Sequence, residues 1–311
     1  MKNTYFRNKP KVLMLAVGIA ILSIGVRLLG EYNFHETALL YVGIPFFIAL
    51  LLIQVRDPDE TMSLKKRYQN RLIDAFIIML GSSVVLFEGF VCVVMAMPIY
   101  LFIILIMFLF DSIREKAKKR GRSTLNIQVL PLLIIASAFE GLSPELSFNR
   151  NEQVVVTRVV QSSISDIKQN LIQPMDLQKS RPWFLTLFPM PYKIEAGSLT
   201  PGDVHKIHIR YYRWFVTNVH EGRILLEISA VEENRIKTTF LEDSSYLSNY
   251  LHLQGTEIQL DKIDAQHTRI TLTIDFERTL DPYWYFAPIE RYGVSTAANF
   301  LISEVIAREA G

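Results

Sequence analysis

The apolar residues of this 311-residue chain are spread so unevenly that one globular core cannot take them all. Residues 1–142 hold four or five apolar stretches separated by basic clusters, and the rest of the chain holds almost none. A helix of about 20 apolar residues, rising ~1.5 Å per residue, matches the ~30 Å hydrocarbon layer of a bilayer. We therefore expect an all-α transmembrane domain over residues 1–142, followed by a water-facing domain. The charge divides at the same place. Residues 1–144 carry 16 Lys and Arg against 10 Asp and Glu, whereas residues 145–311 carry 17 against 21. A basic membrane half follows from the bias of Lys and Arg toward cytoplasmic loops. An acidic soluble half lacks the basic footprint of a nucleic-acid-binding surface. Cys92 is the only cysteine, so no disulfide forms within one chain.

The expected bundle has four or five helices, at about 12–29, 37–55, 72–87, 90–110 and 125–142. The first follows Lys2, Arg7, Lys9 and Lys11 and reads as a signal anchor, because Arg27 interrupts its end and no small-x-small cleavage site stands out. The 39 residues from Leu72 to Phe110 are too many for one crossing, and Glu88-Gly89 is the natural hairpin between two. The basic segments at the N-terminus, at 56–71 and at 114–122 belong together on the cytoplasmic side. Two crossings then separate each from the next. The last stretch is short, with Pro131 inside it. If it crosses, as we expect, the C-terminal domain is extracytoplasmic and the chain is a multi-pass protein of the cell membrane. Glu88 reads as a headgroup-level hairpin residue, and the 114–122 cluster as an orientation signal. No paired broken helices of the transporter kind are visible.

Past Gly141-Leu142-Ser143-Pro144 the period changes from helix to strand. Residues 153–160 are rich in β-branched side chains, and 162–173 show helical spacing ended by Pro174. Pro182, Pro189 and Pro191 keep 181–191 irregular. A meander follows: 192–199, 204–212, 214–219, 223–231, 235–240, 256–263 and 268–278, with Glu221-Gly222 as a hairpin signal. In the last strand Thr268, Ile270, Leu272, Ile274 and Phe276 alternate with polar residues, so one face is dry. The element left to cover it is a helix from Pro288 to about Arg308, with Pro288 in its first turn and Val294, Ala298, Leu301 and Val305 in one stripe. The fold class is thus a transmembrane bundle plus an α+β domain in which a curved antiparallel sheet grips a long C-terminal helix.

Several local features carry a resemblance over residues 150–311. They are the first strand and helix, Phe188-Pro189-Met190-Pro191, Gly202-Asp203-Val204, the Glu221-Gly222 to Ile228 strand, the Thr268 to Leu272 strand, and Tyr285-Phe286-Ala287-Pro288-Ile289-Glu290-Arg291. In these the chain resembles the SRPBCC superfamily, the helix-grip fold of START domains, polyketide cyclases and plant pollen allergens. More narrowly, it is similar to bacterial membrane proteins that fuse several N-terminal helices to such a domain. The resemblance implies an apolar ligand held between sheet and helix.

The small residues Gly293, Ser295, Thr296, Ala297 and Ala298 in the middle of the last helix leave volume beside the sheet. The expected pocket is lined by His205, Ile207, Ile209, Tyr211, Trp214, Leu226, Ile228, Leu272, Ile274, Val294, Ala298 and Leu301. Trp183, Phe184, Phe188 and Trp284 are the expected entrance. Membrane lipids and a hydrophobic small molecule are the expected partners. No nucleotide, nucleophile-elbow or metal motif is present. His205 and His208 are three apart on a strand and point to opposite faces, which does not suit one metal ion. No catalytic residue, metal or cofactor is assigned. The residues favour a ligand-binding domain over an enzyme. The alternatives are a cyclase- or dehydratase-type enzyme using the same pocket, with His205 or Glu227 as the acid–base group, and a non-catalytic interaction module.

Overall fold

The computed structural model describes residues 37–55, 63–85, 90–120, 133–134, 136–177, 181–214 and 217–307. They form two compact units. One comprises residues up to Phe148 together with Leu280–Tyr285, and the other comprises Asn149–Thr279 and the chain from Phe286 onward.

The first unit contains helices α1 (Ile44–Val55), α2 (Leu64–Val85) and α3 (Phe90–Lys119), with a wide π turn, Leu39–Gly43, leading into α1. One helix of the described residues is long and apolar enough to cross a membrane, over Val94–Arg114 with mean hydropathy 2.4. The described residues therefore do not supply the expected bundle of four or five crossings. The expected helix 12–29, the Glu88-Gly89 hairpin and residues 125–132 of the expected helix 125–142 lie outside the described residues. α2 begins eight residues before the apolar stretch at 72, and α3 runs nine residues past 110. Lys, Arg and Glu are good helix formers, so each helix continues where its apolar content stops. Lys65, Lys66, Arg67 and Arg71, which fall in the basic segment at 56–71 between two expected helices and so are expected in a loop, are thus helical. Arg71 is buried. Its Nη1 donates to Asp111 Oδ2 at 3.1 Å, and its guanidinium lies 5.1 Å from the Phe108 ring centre. An apolar groove of about 470 Å³ lies between α2 and α3, lined by Leu72, Phe76, Pro98 and Leu105 among others.

The second unit is built on eight antiparallel strands: β1 (Asn151–Val160), β2 (Met175–Asp176), β3 (Met190–Glu195), β4 (Val204–Trp214), β5 (Thr217–Val231), β6 (Arg235–Asp243), β7 (Leu251–Lys262) and β8 (Thr268–Arg278). Their order is β1-β8-β7-β6-β5-β4-β3-β2, so the chain's first strand pairs with its last. Irregularities at 191/193, 225/226, 228/230 and 253/255 bend the sheet. Helix α4 (Ile164–Leu171) starts at Ser163, whose hydroxyl accepts from Asp166 N. Helix α5 (Tyr283–Leu301) closes the chain with a wide turn, Ile302–Ile306. A curved antiparallel sheet with a long final helix fits the helix-grip plan.

The dry face of β8 is the floor of the core. Ile270, Leu272, Ile274 and Phe276 pack with Val154 and Val156 of β1, Ile258 and Leu260 of β7, and Val294, Ala298, Ile302 and Ile306 of the final helix. The buried stripe of that helix therefore runs 294, 298, 302, 306, whereas Leu301 and Val305 are only half-buried. Up to Ile302 this is the ordinary four-residue step of a helix face, continued from Glu290. Ala307 N bonds to Ile302 O five residues back, which swings Ile306 onto the face of Ile302. Arg291 holds Glu152 of β1 through two bonds of 2.7 and 2.9 Å, and Arg158 bonds Ser303, so the helix is pinned to β1 at both ends. Pro288, expected in the first turn, lies in the second, where its exposed position leaves the unmatched carbonyl to water.

Glu221-Gly222 is no hairpin. β5 runs unbroken through it, and the reversal from β4 comes after Trp214. A Cβ on Gly222 would lie 2.5 Å from Ser244 O and Ser245 Cα, so this glycine marks the point where another backbone crosses the strand. Gly222→Val is expected to cost about 1–3 kcal/mol by forcing that crossing apart, read as a lower denaturant midpoint. An unchanged midpoint would show that the crossing is not a fixed contact.

Candidate functional site

β4 and β5 set the geometry. Their register pairs His205 with Leu226, Ile207 with Ile224, Ile209 with Gly222 and Tyr211 with His220, and paired residues share a face. His205, Ile209, Tyr211, Ile224 and Ile228 are buried, and Ile207 and Leu226 half-buried. These residues form a mostly apolar patch on the concave side of β4 and β5. They stand outside the packed group that joins the final helix to β1, β6, β7 and β8.

From Tyr211, at one end of this patch, runs a connected line of rings. Tyr211 stacks on Tyr246 at 5.0 Å, and Tyr246 meets His220 at 5.5 Å and Tyr250 at 6.0 Å. Tyr250 meets Phe188 at 5.9 Å, Phe188 meets Phe184 at 5.1 Å, and Phe184 meets Tyr292 of α5 at 5.0 Å. The edge-to-face and offset contacts are those favoured by the ring quadrupole. The line joins β4, the short helical turn Tyr246–Asn249, the proline-flanked loop at 184–188, and the final helix.

The expected pocket residues therefore divide. Leu272, Ile274, Val294 and Ala298 pack against one another, so the sheet–helix space on that side is filled by side chains. The small middle of α5 is also occupied: a Cβ on Gly293 would lie 3.5 Å from Phe184, and Ala297 packs with Phe184, Leu185, Met190 and Phe300. Glycine and alanine here admit the aromatic loop; they do not leave open volume. His205, Ile207, Ile209, Tyr211, Leu226 and Ile228 remain together on β4 and β5. Leu301 is half-buried, and Trp214 ends β4 opposite Thr217. Among the expected entrance residues, Phe184 and Phe188 lie in the ring line. Trp183 is 74% exposed with its ring against Phe184, and Trp284 belongs to the first unit.

The polar groups have defined places. His205 Nε2 donates to Ser198 O at 2.8 Å, so that nitrogen carries the proton and cannot act as a base there. Glu227 pairs with Val204 and Thr239, one residue out of step with His205, and so lies on the opposite face. The two residues expected for an acid–base role do not converge. His208 is on the outer face, 3.2 Å from Glu195, whose carboxyl is held low chiefly by the hydrogen bond from Lys193. Asp243 is in register with Ile224, with Oδ1 accepting from Ser245 N at 2.8 Å, and burial pushes its carboxyl up. Among the described residues no three His, Cys, Asp or Glu side chains group as metal ligands.

Tyr246, Tyr250, Tyr292, Ile224 and Asp243 are additions to the expected site. Tyr246 and Tyr250 stand four apart in a serine-rich stretch that reads as loop, and their shared orientation comes from the helical turn that Ser245 caps.

No family model matches the chain, and no curated protein matches it. Among solved structures the chain is similar to a START superfamily protein from Mycobacterium smegmatis, with 14% identity and TM-score 0.33 over 50% of this chain and 95% of that one. It is also similar to norcoclaurine synthase from Thalictrum flavum, at 15% identity and TM-score 0.32 over 52% and 89%. An aromatase/cyclase from a Streptomyces species gives 16% and 0.30 over 52% and 99%. The fold assignment rests on the strand order, the register and the final helix described above.

Proposed function

We propose that this chain is a membrane-anchored helix-grip protein that binds a hydrophobic ligand of the lipid class against the inner face of β4 and β5. One observation carries the reading. The apolar inner residues of these strands are shielded from solvent without belonging to the packed sheet–helix core, and a line of aromatic rings starts from Tyr211 of the same patch. An apolar guest there gains roughly 25 cal/mol for each Å² it buries. The His205–Ser198 and Asp243–Ser245 pairs supply polar groups beside the patch.

Helix α3 supplies the anchor in this reading. The Tyr285 hydroxyl donates to Met95 O, near the start of the Val94–Arg114 span, while Arg114 and Lys116 stand at the other end. Basic ends face the cytoplasm, so residues 280–285 fall on the extracytoplasmic side.

The test is native mass spectrometry of the full chain from lipid discs. The chain should carry an apolar adduct, and Ile209→Trp, which fills the patch, should reduce its occupancy in the folded protein about tenfold, equivalent to ~1.4 kcal/mol. Equal occupancy in the two proteins would remove the β4–β5 face from consideration.

A further inference from the structure

The strongest unexplained feature of the first unit is an exposed apolar collar at the start of the membrane helix. Phe139, Leu142, Leu146, Phe148 and Trp284 are all exposed, Phe148 at 64% and Trp284 at 49%. They do not come from a disordered edge, because the chain beneath them is held by buried polar groups. Glu140 Oε1 accepts from Tyr283 N at 2.8 Å, and its backbone carbonyl accepts from Ala38 N at 3.0 Å. Ser147 donates to Asp281 Oδ2 at 2.9 Å, and Asp281 is fully buried. Gly141 takes a φ of +84°, and a side chain there would collide with the Asp281 carboxylate. The Phe148 ring rests on Tyr283 at 5.8 Å, and the Trp284 ring on Tyr285 at 5.9 Å. The result is a surface with satisfied polar groups below and large apolar side chains outside.

Its level is fixed by one bond. Tyr285 donates to Met95 O at 2.5 Å, and Met95 is the second residue of the apolar span. Trp284 is therefore adjacent in sequence to a residue bound at the end of the hydrocarbon-spanning segment. Trp and Tyr concentrate at this depth because their rings suit the acyl boundary and their polar edges suit the headgroups. We propose that the collar formed by residues 139–148 and Trp284 is seated in the headgroup–acyl boundary of the bilayer, as a second, interfacial attachment besides the spanning helix. The inference rests on α3 crossing the membrane. The occupant is lipid; a protein or a second copy of the chain is not needed to cover the patch.

Fluorescence quenching by lipid tests it. The chain has three tryptophans, so Trp183→Phe with Trp214→Phe leaves Trp284 alone. The full-length variant is placed in phosphatidylcholine discs whose acyl chains are brominated near the carbonyl end. We expect those lipids to remove most of the Trp284 emission, and aqueous iodide to remove little. A companion chain lacking all three tryptophans and carrying Phe102→Trp reports on the span itself. If that reporter is quenched by bromine deep in the acyl chains while Trp284 responds only to iodide, the collar is wrong and the anchor stands. If Trp284 is shielded from both quenchers, protein covers the patch and the proposal is overturned. If the Phe102→Trp reporter is not quenched by lipid, the membrane reading fails and the collar with it. Should the tryptophan variants not fold, a nitroxide at Phe148→Cys in a Cys92→Ser background gives the same depth from its access to oxygen against a water-soluble nickel chelate. Greater access to nickel overturns the proposal.

Discussion

Replacing Phe276 by alanine lowers the stability of the sheet unit by about 3–5 kcal/mol, the range for deleting a buried phenyl ring. Phe276 is fully buried on the inner face of β8, in register with Glu152 on one side and Leu253 on the other. β8 is paired on both sides, so the loss of the ring leaves a void that neither β1 nor β7 can close without giving up its own pairing. Phe276→Leu, which keeps most of the volume, costs about 1 kcal/mol. Thr273→Ala, on the outer face three residues earlier, falls within about 0.5 kcal/mol of no change. The measurement is native-state hydrogen exchange of the β7 and β8 amides in the full chain, since two units need not unfold together. Equal costs for Phe276→Ala and Thr273→Ala would contradict a strand with one dry and one wet face.

That contrast also shows what was legible in the sequence. β8 was readable end to end because half-burial writes itself as strict alternation, and no other residue interrupts the pattern between Thr268 and Arg278. The final helix was readable for the same reason, as a stripe, but its last turn was not. After Ala298 the buried face takes Ile302, four residues on, rather than Leu301, three on, and helical spacing allows either. Gly222 was misread because glycine marks both a turn and a close backbone approach. Choosing between them requires knowing that Ser244 and Ser245 return across the strand. The small residues of α5 were ambiguous in the same way, since a gap in a helix face can be empty or filled from elsewhere, and Phe184 fills it. The ring line was hidden because its members come from four separate segments. Each is an unremarkable aromatic until the topology aligns them. Helix ends in the first unit were hidden because hydropathy records where apolar content stops, not where backbone bonding stops.

The ion pair between α2 and α3 shows the functional consequence of that last point. As part of a basic loop, Arg71 would be one orientation charge among several, exchangeable for lysine at no cost. Its structural position is different: Arg71 and Asp111 side chains are only 7% and 14% exposed, bonded at 3.1 Å. Phe108 lies under the guanidinium, and Tyr68 packs edge-on against the same ring at 5.6 Å with its hydroxyl on Leu105 O. Arg71→Met leaves a buried carboxylate without its partner, and the expected loss is about 3–5 kcal/mol in the stability of the helical unit. Arg71→Met combined with Asp111→Leu removes both charges, and most of that loss is recovered, because a buried pair returns little net energy over an apolar pair of similar volume. Arg71→Lys keeps the charge but gives up the planar fork and the stacking surface, so it falls between the wild type and Arg71→Met. Thermal unfolding of the purified full chain, followed by exchange protection in α2 and α3, orders the four proteins. A silent Arg71→Lys together with a silent Arg71→Met would return Arg71 to a purely orienting role. A deficit that the double variant repairs identifies the pair as the contact that fixes how α2 lies against α3.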